Sequence, residues 1–156
     1  SAVSGLSGTT MFWWWEPLDR MDAYPHYRPV AAFTAGIPYT TGRLRSVSPA
    51  VEPARVRAWG LQWDDCAFLW FSDAEASWWR VVVEKTAPSA VAKAGTALEG
   101  LAPGTYVVQW WDTYAGRPLR EDRVAAPDGR LRLSPPPFTR DIACRVNRPP
   151  AEDGTR

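Results

Sequence analysis

The chain has 156 residues, room for one or two small domains. A formal net charge of +1 argues against nucleic acid or an anionic membrane surface as a partner, and no apolar run approaches a membrane span. One histidine and two isolated cysteines give no metal-ligand spacing, so neither a metal nor another cofactor is expected, whereas ten tryptophans are far more than this length ordinarily carries.

In chain order, the first informative stretch is GTTMFWWW, residues 8–15. A continuous apolar run with two threonines suits a strand covered on both faces. Strand alternation puts Trp13 and Trp15 on one side and Trp14 on the other. EPLDRMDA, residues 16–23, is expected as a loop. YPHYRPVAAFTAG, residues 24–36, is expected as a short helix. Pro25 fits a first turn, Tyr27, Val30, Ala31 and Thr34 share a face, and Gly36 is a natural stop. The proline-rich SVSPAVEPA, residues 46–54, reads as a linker.

From residue 55 onward the pattern has period two. Strands are expected over 55–62, 67–73, 78–85, 96–101, 105–112, 119–126, 130–134 and 141–146. Asp128-Gly129 is a hairpin signal, because a type I′ turn needs positive φ at both central residues. Short strands at this spacing indicate an antiparallel β-sandwich or a small barrel. Cys144 is in phase with Ile142 and Val146, so Cys66 and Cys144 are expected as free buried thiols rather than one bridge. Trp110 and Trp111 fall on opposite faces, one for the core and one for a neighbouring body. Trp78 and Trp79 are expected mainly as core and edge cover, with the outward ring as a candidate ligand surface.

The stretch GLAPGTYVVQWWDTYAGRPLREDRVAAPDGRLRLSPPPFTRDIACRV, residues 100–146, carries Leu101, Pro103, Gly104, Tyr106, Val108, Trp110, Trp111, Asp112, Thr113 and Gly116, then Pro137, Phe138, Asp141, Ile142 and Ala143. In that order these residues resemble the last β-sandwich domain of many bacterial glycoside hydrolases. The N-terminal part resembles the closing strand and helix of a (β/α)8 barrel of the clan that includes glycoside hydrolase family 5. The resemblance implies a mainly β chain: an antiparallel β-sandwich over 55–147, preceded by the strand-loop-helix end of a barrel over 1–45, a linker over 46–54 and a disordered tail over 148–156.

In such enzymes the eighth strand carries aromatic residues into the sugar site, which makes Trp13, Trp14, Trp15 and Glu16 the candidate substrate-binding residues. The reading that leaves all three indoles as packing stays open beside it. Glycoside hydrolysis needs two carboxylates, and in the resembled family both lie on earlier strands, which would precede Ser1. No residue of this chain is therefore expected to be catalytic, and the chain alone is expected to be inactive. The implied partners are an oligosaccharide or polysaccharide and the missing barrel segment of the same protein, with no nucleic acid and no membrane. The alternative is a non-catalytic sandwich for carbohydrate binding or assembly. An opening without methionine is read as a sign of a processed form or a piece. A secreted or periplasmic setting would suit the glycan reading, and the Arg/Ala/Pro-rich composition suits a GC-rich bacterial genome.

Overall fold

The computed structural model describes residues 15–149. Two helices come first, α1 (Trp15–Arg20) and α2 (Arg28–Thr34), the second preceded by a 3-10 turn over Tyr24–Tyr27. Nine strands follow: β1 (Arg45–Val47), β2 (Val51–Glu52), β3 (Val56–Trp63), β4 (Cys66–Asp73), β5 (Gly95–Leu98), β6 (Gly104–Asp112), β7 (Arg117–Ala126), β8 (Leu131–Leu133) and β9 (Asp141–Asn147). The large sheet has the order β1-β3-β4-β9-β6-β7 and the small one β2-β5-β8. All pairings in both are antiparallel. The chain is mainly β, as its sequence pattern indicates.

Strand alternation sorts the large sheet into two buried faces. The inner face presents Ala58, Leu69, Phe71, Val108, Trp110, Ile142, Cys144 and Val146. These pack against Val51, Leu98, Leu131 and Leu133 of the small sheet, which makes the sandwich core. The outer face presents Cys66, Phe68, Trp111 and Ala143, with Trp59, Trp63 and Trp70 beside them. Phe33 and Ile37 close over this second cluster. Phe33 meets Trp111 edge-on at 5.7 Å and Trp70 at 6.3 Å between ring centroids, a favoured aromatic geometry. Both cysteines are free, and they sit on opposite faces. Burial raises the Cys66 thiol to about 11, with the nearby Asp65 charge adding to the effect. Burial pushes Cys144 further up.

The helical segment is fastened by one side chain of β9. The last carbonyls of a helix have no partner within it. Here Arg145 supplies them: Nε donates to Phe33 O at 3.0 Å, and Nη2 donates to the carbonyls of Ala35 (2.6 Å), Ala32 (3.3 Å) and Phe33. The same guanidinium carbon lies 4.9 Å from the centroid of the Trp111 ring. The cation thus meets the negative end of the helix and an aromatic face at once.

The residues of the L-x-P-G-x-Y stretch have structural roles. Leu101 and Tyr106 are buried. The Tyr106 hydroxyl donates to Ala102 O at 2.5 Å and reaches Asp64 O at 3.2 Å, closing the turn over Pro103-Gly104. Trp110 enters the core and Trp111 faces outward across a register shift between them, as the alternation indicates, with α2 covering Trp111.

Five expectations are corrected. Residues 15–20 form α1, where Trp15 is expected to end a strand and 16–20 to begin a loop; Glu16 and Pro17 in its first turn suit a helix start. The stretch 46–54 is not a linker: it carries the end of β1 and all of β2, which pair with β3 and β5. The WWRVVVEK segment is a π-helical turn, Trp79–Val83, with Glu84 N–H bonded to Trp79 O at 3.0 Å. Its β-branched run cannot pair with β4, which it follows, because β3 and β9 already occupy both sides of that strand. Trp78 and Trp79 are consequently exposed rather than core, with ring planes inclined at 57°. Asp128-Gly129 is no type I′ hairpin, since Gly129 alone of the two has positive φ (76°). The turn passes the chain between sheets, from β7 on β6 to β8 on β5. In the tail, Arg148 is tied by its N–H to Asp65 O and by Nη2 to Pro103 O, at 3.0 and 2.8 Å; residues 150–156 lie outside the described part, as do residues 8–14 of the strand expected over 8–15.

Candidate functional site

The start of β9, the turn after β6, the outer side of β4 and the first turns of the helical segment converge at one end of the large sheet. The turn is built by Asp112, whose Oδ1 accepts from the N–H groups of Tyr114 (2.9 Å) and Ala115 (2.8 Å). Gly116 closes it at φ 65°, and a Cβ there would stand 2.6 Å from Pro29 Cα. Only glycine meets both demands, so the turn sits tightly against α2. Thr113 is thereby brought to β9, and its hydroxyl donates to Asp141 Oδ1.

Asp141 is the chemical centre. It pairs in register with Ser72 of β4. A cleft of about 460 Å³ opens beside it, lined by Pro25, His26, Pro29, Trp70, Thr113 and Tyr114. A second lobe of about 240 Å³ lies between Asp141 and the π-helical turn, with Trp78, Val81, Val82, Arg140 and Tyr114 in its walls. The two lobes share Tyr114 and Asp141. Tyr114 is exposed, and the Arg140 guanidinium carbon lies 6.0 Å from its ring centroid. Arg140 has φ 75°, unusual for a side-chain-bearing residue, while its carbonyl accepts from Asp73 N–H at 2.7 Å.

Burial raises the Asp141 carboxyl above its ordinary value. The Thr113 hydrogen bond, Arg140 and the Trp70 indole pull it back, and the Asp112 charge pushes the same way as burial. A folded-state value above the unfolded one means that Asp141 contributes stability fully below the ordinary carboxylate pKa of about 3.9, and that this contribution is lost as pH rises through the folded value. Asp141→Asn, which cannot ionise, is therefore expected to melt higher than the wild type at neutral pH. In calorimetric scans that advantage should shrink towards zero as pH falls below the ordinary carboxylate range. An equal advantage at both ends would contradict the burial argument.

No protein-family model and no curated protein matches this chain.

Of the candidate residues named from sequence, Trp13 and Trp14 lie outside the described residues. Trp15 and Glu16 stand in α1, both exposed. Neither Trp15 nor Glu16 is among the residues lining the cleft. Asp141, Thr113 and Tyr114 were visible in the motif stretches but carried no mark of a site, because Thr113 and Asp141 are 28 positions apart and meet only through the β6–β9 pairing. Trp70 lies in an expected strand with nothing to single it out, and the Trp78-Trp79 pair reads mainly as core and edge cover, with its outward ring as a candidate ligand surface. Among the described residues no group of three or more His, Cys, Asp or Glu could hold a metal ion. Asp112 Oδ1 is engaged with its own turn, so the cleft offers Asp141 as its working acceptor. Hydrolysis of a glycosidic bond takes two carboxyl groups about 5–9 Å apart across the substrate. One carboxylate among rings and hydroxyls is suited to holding a polar ring.

Proposed function

We propose that this chain is the C-terminal portion of a glycoside hydrolase acting on β-linked glycans, with the sandwich buttressing a catalytic body whose carboxylate pair lies outside these residues. One observation carries the reading. The helix α2 is held to the sandwich through Phe33 and Arg145, yet the turns that lead into it leave Trp15, Met21, Tyr24 and Tyr27 exposed. Large apolar side chains gathered in one stretch mark a surface made to be covered. The motif residues of 100–146 support the same reading by resemblance. The exposed π-helical turn, with Trp78, Trp79, Val82 and Val83, favours the alternative of an assembly or binding sandwich.

Turnover of aryl β-glycosides decides between them. The 156-residue chain is expected to release no aglycone, and a polypeptide that joins it to the residues encoded before Ser1 is expected to do so. Turnover by the chain alone that disappears in Glu16→Gln would overturn the proposal, as would an inactive longer polypeptide.

A further inference from the structure

We propose that the two-lobed cleft around Asp141 is a binding subsite for a pyranose ring of a neutral β-linked glycan. The fit of the cleft to a hydroxylated ring follows from its own groups; the choice of a β-linked glycan rests on the function proposed above. A pyranose presents a patch of C–H groups on its faces and hydroxyls around its rim. Indole and phenol rings cover the first, and a carboxylate accepts from the second. The cleft gathers both kinds from separate segments of the chain. Tyr114 stands between the lobes, Trp70 walls the larger and Trp78 the smaller. Asp141 lies at their junction, oriented by the Thr113 hydroxyl.

Three further features narrow the ligand. The lobes, about 240 and 460 Å³, are of the size that takes a small molecule rather than a helix or a strand. The Asp112 and Asp141 charges disfavour an acidic sugar, and Arg140, whose charge acts on Asp141, has its guanidinium carbon 6.0 Å from the Tyr114 ring centroid. The site is also not a flat platform for successive sugars. The exposed Trp78 and Trp79 rings are inclined to each other, and the Trp79 indole N–H is bonded to Glu84 Oε1 at 3.1 Å. Recognition of one ring, with its neighbours running out past His26 or past Val82, is what this shape permits.

The test is a calorimetric titration of the chain with cellohexaose, mannohexaose, xylohexaose and laminarihexaose, with an oligogalacturonate as the acidic control. Saturable binding of at least one neutral oligosaccharide is expected, and none of the acidic one. Tyr114→Ala and Trp78→Ala, both at exposed positions that leave the core untouched, are each expected to weaken binding about tenfold, as is Asp141→Asn through a lost charged acceptor. Trp79→Ala, outside both lobes, should change nothing. No saturation by any of the four up to about 10 mM, or affinity unmoved by all three substitutions, overturns the subsite. Failure here with an active longer polypeptide would leave the hydrolase reading standing. Binding with an inactive longer polypeptide would do the reverse.

Discussion

Phe33→Ala is expected to lower stability by about 3–5 kcal/mol, the usual range for removing a buried aromatic side chain. The residue is buried between Trp70 and Trp111 and is the chief apolar contact by which α2 holds the outer face of the large sheet. Arg145 makes its bonds to the carbonyls around Phe33, so the loss of the ring also loosens the charged fastening. The two contacts act as a unit and their effects should not add. The sandwich core shares no cluster with Phe33. The variant is therefore expected to keep its sheets and release its helical segment. Amide exchange should rise across residues 28–37 while β4, β6 and β9 stay protected, and tryptophan emission should shift red as Trp70 and Trp111 meet water. The urea m-value should fall, because a native state already open at the segment exposes less new surface on unfolding. Uniform loss of protection across the sheets would contradict this division.

Trp110→Ala should behave differently although Trp110 adjoins Trp111 in sequence. Trp110 is fully buried, packs 5.7 Å from Phe71 between ring centroids and sits opposite Cys144 in the centre of the large sheet. Its indole N–H also donates to Asp122 Oδ2 at 3.0 Å. Truncation costs about 3–5 kcal/mol, and a domain of this kind has only about 5–15 kcal/mol in total. The expected result is a collapse of the urea midpoint or failure to fold, with no region spared in amide exchange. Trp110→Phe keeps most of the volume and should recover a cooperative transition. A Trp110→Ala protein that merely loosens at residues 28–37 would mean that the two neighbouring indoles had been assigned to the wrong faces.

Much of the sandwich was legible because alternation is local. Tyr106, Val108 and Trp110 repeat at period two and all point inward, and Ile142, Cys144 and Val146 do the same. The L-x-P-G-x-Y and W-W-D-T stretches could be read as turns because Pro103, Gly104, Asp112 and Gly116 act on their own neighbours. What was not legible depends on the rest of the chain. The 81–83 valines favour a strand, but no free side of β4 is left for one. Val51 looks like linker until β5 is laid beside it. Asp128-Gly129 has hairpin chemistry, yet Leu131 and Leu133 face the other sheet. The cleft was hidden for the same reason: its carboxylate, its hydroxyl donor and its rings come from four separate segments, none unusual alone. Tryptophan abundance pointed to the opening residues, while the rings that line the cleft of the half-buried Asp141 stand at 70, 78 and 114.

The place of β9 governs how the molecule can be made. The last of the described strands is inserted between β4 and β6, and it brings the arginine that fastens a helix more than a hundred residues earlier. Until that strand emerges, the tryptophans of β4 and β6 lack their shared neighbour and the N-terminal helices lack their anchor. Productive pairing of the large sheet must therefore wait until β9 has been made, and a chain cut short before residue 141 would leave two half-sheets with bare inner edges, a template for self-association.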